Sequence, residues 1–115
     1  MEILNKDRLL ESSAGIPEFM KDVITAFLSE MSMGLGRLED ASRSADLTAI
    51  SEESHYLKGS CQTVGADRLS DVFSKIHVEC SSDNCSVLPS TMNEARTEFE
   101  LVRSEMEKLM RETPS

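Results

Sequence analysis

The sequence predicts an all-α fold, an antiparallel four-helix bundle with a short additional helix at its amino terminus. Three observations predict it. Apolar residues recur at three- and four-residue intervals through every long segment, the period of one helix face. The chain has no Trp, one Tyr and four Phe, so its core must be built from Leu, Ile, Val, Met and Ala, a mixture that suits helices better than a sandwich or barrel. The breaks between periodic segments are short, at Gly15-Ile16-Pro17, around Ser42 to Ser44, at Gly65 and across Ser81 to Pro89, so successive helices must fold back on one another. With 115 residues the chain can bury one core, and residues 1–115 read as a single helical domain whose bundle spans about 17–111.

Ile3, Leu4, Leu9 and Leu10 supply the short first helix, packed on the rest. Pro17 suits the first turn of the second helix, where Phe19, Val23, Phe27, Met31, Leu35 and Leu38 form the predicted inward face over roughly six turns. Gly34 and Gly36 each weaken that helix by about 1 kcal/mol relative to Ala, unless a neighbouring helix needs the close approach. Leu47, Ile50, Ser54, Leu57, Cys61 and Val64 alternate by threes and fours, as a bundle seam does, and Gly65 stands where helices commonly end with a left-handed residue. Asp67 opens a fourth helix with a charge that suits its dipole, and Leu69, Val72, Phe73, Ile76 and Cys80 face inward.

SSDNCSVLPS, residues 81 to 90, has turn residues and no period, and reads as a loop. Thr91 and Glu94 have the spacing of a capping box, which starts the last helix there. Met92, Ala95, Phe99, Val102, Met106 and Leu109 form its seam, and it runs to about Arg111. Most methionines read as flexible core fillers, with Met33 a candidate for an exposed binding patch.

The net charge is -9, from 21 acidic and 12 basic residues, and no Lys/Arg run exists that could neutralise a row of phosphates, which argues against a nucleic-acid partner. No apolar run approaches the roughly 20 residues that span a bilayer, and the amino terminus lacks a basic segment followed by an apolar one. A cytoplasmic protein is expected, with passage into the nucleus if the source is eukaryotic. Cys61, Cys80 and Cys85 are an odd set without CxxC spacing, so reduced thiols are expected. There is no Gly-rich phosphate loop and no acidic set clearly arranged for a metal, so no cofactor or resident metal is expected.

A helical wheel of residues 47 to 64 puts His55 one step off the buried seam, on an exposed strip with Lys58, Gly59 and Gln62. Each has a use if the imidazole is a nucleophile. A neutral imidazole nitrogen can attack a phosphoryl group, and histidine is the side chain that is substantially neutral yet basic near neutral pH. Lys58, one turn on, can hold an ammonium near the transferred phosphoryl oxygens. Gly59 removes a side chain from the strip, letting a partner bring its phosphorylated group up to the helix backbone. Taken singly, His55, Lys58 and Gln62 would be ordinary solvated helix residues; their relation gives them weight.

His55-Tyr56-Leu57-Lys58-Gly59-Ser60, followed by Val64-Gly65-Ala66 and Leu69, resembles the histidine-containing phosphotransfer (HPt) domain of multistep two-component relays. The family's pattern is a His in mid-helix, Leu two on, Lys-Gly three and four on, small residues after them, and a Gly ten residues after the His where the helix ends; each position is filled here. The likeness extends more loosely to Phe19 through Leu38 and to the last helix. It implies an all-helical bundle that acts as a phosphorelay intermediate, accepting a phosphoryl group on His55 from the aspartate of one receiver domain and passing it to another. Lys58 and Gly59 would support the transfer, with Ser60, Gln62 and Gly65 in supporting places. The implied partners are the receiver domains of a sensor hybrid kinase and of a response regulator, met by a monomer. Mg2+ would belong to the receiver, and the chain would be a phosphocarrier rather than an enzyme with its own ATP-using activity.

The chain departs from the pattern at small residues, Ser54 and Cys61, and at one larger position. His77 stands on the next helix where several family members carry a Gln that hydrogen-bonds the active imidazole. It would orient His55 as donor or acceptor, and its protonation would add a pH dependence that Gln does not have. Two other readings compete: a non-phosphorylatable helical adaptor that binds receivers, and a thiol or zinc sensor built on Cys61, Cys80 and His77. The chain's extent suits a free-standing shuttle, and one domain of a hybrid kinase would look alike.

Overall fold

The structure, a computed structural model, describes residues 2–81 and 88–113. Five helices follow one another: α1 (Lys6–Ser12), α2 (Pro17–Arg43), α3 (Leu47–Val64), α4 (Asp67–Ser81) and α5 (Leu88–Glu112). No strand occurs among the described residues. The four long helices form a ring in which α2 packs on α3, α3 on α4, α4 on α5 and α5 on α2, while α1 lies against α2 and α3. The predicted all-α bundle with a short extra helix is what forms, 46 Å long and 24 by 20 Å across.

The helix ends are set by local chemistry. The Asn5 side chain caps α1 by accepting from the Arg8 N–H at 3.2 Å. Pro17 opens α2 without a side-chain cap, at a position where a missing N–H costs nothing. Asp46 caps α3 by accepting from the Ala49 N–H at 3.1 Å. Gly65 ends α3 at φ 84° in the paired geometry of a Schellman turn: Ala66 N–H donates to the Cys61 carbonyl at 2.9 Å, and Gly65 N–H to the Gln62 carbonyl at 3.4 Å. The Gly65 carbonyl accepts from the Asn5 N–H at 2.8 Å, so the amino-terminal segment is tied to this corner.

Every residue expected inward on α4 is buried, and so are all those expected on α3 except Leu47, which is half-buried. On α2 the expectation needs correction. Phe19 is 51% exposed and Val23 is half-buried, while Met20 and Ile24 take the inward positions at that end. The cause is geometric. Each step of four advances about 40° beyond a full turn, so a row spaced strictly by fours winds off the core face; at about 100° per residue, Phe19 stands about 160° from Leu35 and Ile24 about 20°. Leu10 is likewise 43% exposed, because neighbours on a helix point about 100° apart and α1 turns Leu9 to the core instead.

The capping-box start at Thr91 is also corrected: α5 begins at Leu88, with Pro89 in its first turn, and Thr91 lies inside the helix. Its buried hydroxyl donates to Glu79 Oε1 of α4 at 3.0 Å, a bond between helices rather than a cap. The loop expected over residues 81 to 90 falls mainly, and Cys85 entirely, outside the described residues. Gly34 of α2 does serve close approach, since a Cβ there would lie 2.5 Å from Leu57 Cδ2 of α3. Gly36 does not; nothing lies within 4 Å of a Cβ built on it. Arg37–Glu53, Arg68–Glu98 and Arg96–Glu39 ion pairs join neighbouring helices near the surface, each worth about 1 kcal/mol or less.

Candidate functional site

The strip predicted on α3 forms in the middle of that helix, held by the seam beneath it. Ile50, Ser54, Leu57 and Cys61 are buried against the other helices, which fixes the rotation of α3 and turns His55 outward. His55, Gly59 and Gln62 are exposed and Lys58 is half-buried, its stem covered and its ammonium available. Among the described residues the His55 ring has no hydrogen-bond partner and Lys58 no carboxylate partner. An imidazole nitrogen and a cation one turn away are therefore both free to meet a ligand from outside.

Gly59 has nothing within 4 Å of where its Cβ would stand. Internal packing does not require glycine there, and a mid-helix glycine costs about 1 kcal/mol relative to Ala. What the missing side chain provides is open surface beside His55. Gly65 and Ser60, the flanking supports, have other partners. Gly65 is buried at the end of α3, and the Ser60 hydroxyl turns toward α2, donating to Glu30 Oε1 at 2.8 Å.

Glu30 was not legible as part of this surface, because it comes from α2 and no local spacing relates it to α3. Its carboxylate also acts on the Tyr56 hydroxyl, and its hydrogen-bonding influence, followed by its negative charge, raises the Tyr56 pKa above the usual phenol range. Tyr56, next to His55 in the chain, is 54% exposed at the edge of the strip. Met33, 61% exposed on α2, is the patch candidate that the sequence singled out, whereas Met31, Met92 and Met106 are core.

His77 lies across the groove on α4. Its ring centre is 5.8 Å from that of His55, with the planes tilted by 45°. The two imidazoles implied by the family likeness do come together, but the partner that holds His77 is Ser51: Nδ1 is 3.1 Å from Ser51 Oγ and 3.3 Å from the Ser51 carbonyl oxygen. Ser51 sits one helical turn before His55, so the signal that could have found it was the i, i+4 row already used for Lys58 and Gln62. The carbonyl can only accept, which favours a proton on Nδ1 and a lone pair on Nε2.

The thiols are not part of the strip. Cys61 and Cys80 are free and buried. Burial, and secondly the negative charge of Asp67, push the Cys61 thiol well above the ordinary cysteine range, and Cys80 donates to the Leu47 carbonyl at 3.3 Å. Neither reaches a cluster of three metal-binding side chains, and none occurs among the described residues.

The described helices include none long and apolar enough to cross a membrane. A capped, rigid helix bundle that presents an unpartnered imidazole defines a class of protein, and the comparisons agree on it. The Hpt domain family pattern matches residues 22–112, and the chain belongs to that family. It is 36% identical over 69 residues to the phosphorelay protein LuxU of Vibrio harveyi, an alignment covering 59% of this chain and 60% of LuxU, so the chain spans less than two thirds of that relative. Two solved structures share the fold. One is histidine-containing phosphotransfer protein B (HptB) of Pseudomonas aeruginosa PAO1, with a TM-score of 0.90, 17% identity and 97% of each chain covered. The other is the HPT domain of a Shewanella sensor hybrid histidine kinase, with a TM-score of 0.79, 15% identity and coverage of 98% of this chain and 97% of that one.

Proposed function

We infer that this chain is a phosphorelay intermediate in which His55 accepts a phosphoryl group from a receiver-domain aspartate and passes it to a second receiver. The observation that carries the reading is the unpartnered, exposed His55 ring with Lys58 one turn away and open space over Gly59, on a chain of the Hpt family. A lone pair of the imidazole attacks phosphorus as the aspartyl oxygen–phosphorus bond breaks, and the aspartate leaves as a carboxylate. The new nitrogen–phosphorus bond holds the group, and the reverse step delivers it to the next aspartate. Lys58 faces the negative charge of the three phosphoryl oxygens during both steps. The Mg2+ that such transfers use would reside in the receiver, and the chain would be a carrier with no ATP-dependent activity of its own.

Docking would rest on the open surface around Gly59, bounded by the exposed Tyr56 ring, rather than on charge attraction, because both an acidic receiver pocket and this protein, at net charge -9, are negative. His77 would act behind the nucleophile, orienting the His55 ring through its free nitrogen. The test mixes the protein with a phosphorylated receiver and follows acid-labile label. The wild type is expected to take up the label, and His55→Gln to take up none while its helicity and melting stay unchanged. Label persisting on H55Q overturns the assignment; no label on the wild type in the presence of a bound receiver leaves the adaptor reading in its place.

A further inference from the structure

The His55–His77 pair has a property that neither residue has alone. An ion bonded at about 2.0–2.1 Å to one nitrogen of each of two imidazoles holds the two ring centres roughly 5 to 6 Å apart, and here they stand 5.8 Å apart. The planes are tilted by 45°, so the two rings are not stacked face to face. His77 already has an outer contact of the kind that accompanies a metal-bound imidazole: Nδ1 lies 3.1 Å from Ser51 Oγ and 3.3 Å from the Ser51 carbonyl oxygen, which holds the ring in place, and a proton shared with that carbonyl leaves the Nε2 lone pair for the ion. Both rings are on long helices fixed by the core, α3 and α4, so little ordering remains to be done on binding.

We propose that His55 and His77 together bind a divalent transition-metal ion of the zinc type, and that the ion blocks phosphotransfer by occupying the nitrogen lone pair of His55. The blocking role rests on the phosphorelay reading above; the binding itself does not. Two imidazoles suit zinc, copper or nickel, while Mg2+ takes oxygen ligands and would pass this pair by. No third His, Cys, Asp or Glu joins the pair among the described residues, so water completes the coordination and the ion exchanges readily. A Gln at position 77 would remove one of the two nitrogen ligands. Sensitivity to such an ion is thus a property of this chain's His77.

Zn2+ titrated into the isolated protein at fixed pH, read by the ring resonances of the two histidines, is expected to shift both in parallel. His77→Gln and His55→Gln should each weaken the binding by about tenfold or more. In the transfer assay, with Mg2+ in excess, Zn2+ is expected to slow the wild type by about tenfold at the concentration that saturates the ring shifts, and to leave H77Q near its own zinc-free rate. The same receiver serves both proteins, so any action of Zn2+ on the receiver appears equally in both. Shifts confined to one ring, or unchanged affinity in H77Q, overturn the site. Equal slowing of wild type and H77Q overturns the blocking role. Failure of the wild type to accept label without zinc overturns the phosphorelay reading and leaves the ring titration to decide the binding.

Discussion

Gly59 lies inside α3 and Gly65 caps its end, and a side chain added at the two positions would meet opposite surroundings. At Gly65 a Cβ would stand 2.5 Å from the Asn5 carbonyl oxygen, in a backbone conformation of φ 84° that L-residues rarely adopt. At Gly59 it would meet nothing within 4 Å, in ordinary helix. The first glycine is demanded by the fold, because the chain turns left-handed and the amino-terminal segment packs on it. The second is tolerated by the fold at a cost in helix stability. A residue type that is unfavourable and structurally unnecessary points outward, to whatever must approach the helix there.

The sharpest way to separate the two is to fill each space. Gly65→Val, a branched side chain at positive φ against backbone, is expected to destabilise by about 3 kcal/mol, lowering Tm by about 10 °C or more in a thermal melt. A melt within a few degrees of the wild type would show that the corner relaxes and is not the constraint described. Gly34→Ala should fall between the extremes. Its Cβ meets the end of the fully buried Leu57 side chain at 2.5 Å, and overpacking outweighs the gain in helix propensity, for a net loss of about 1 kcal/mol by chemical denaturation. Stabilisation there would mean that α2 and α3 separate easily.

Gly59→Ala carries the smallest stability effect and the opposite sign: a gain of about 0.5–1 kcal/mol from helix propensity. Its transfer rate is expected to fall nonetheless, by up to about tenfold, since a displaced phosphoryl group loses the in-line approach. A variant that is more stable and transfers as fast as the wild type would remove access as the reason for this glycine.

Much of the site was readable because it lies on one helix. The three-four alternation from Leu47 to Val64 sets the rotation of α3, and with it the outward face of His55, Lys58, Gly59 and Gln62, from period alone. The Gly65 stop was readable for the same reason, since a helix terminus is governed by the few residues around it. The spacing on α2 misled at Phe19, because intervals of four permit more than one face until the neighbouring helices select one. Thr91 misled in another way: a hydroxyl that could cap its own helix instead donates to Glu79, whose position depends on how α4 lies beside α5.

What the sequence by itself determined, then, is the set of helices, the ends of α3 and the composition of the strip, all properties of residues within a few turns of one another. The tertiary structure alone decided which groups from other helices reach that strip. Glu30 from α2 ties down Ser60, and the ring centre of His77 from α4 stands 5.8 Å from that of His55. Local periodicity fixes where each side chain points around its own axis. The distance between two axes, and the sliding of one along the other, come from packing of side chains far apart in the chain, and no spacing along the chain encodes them.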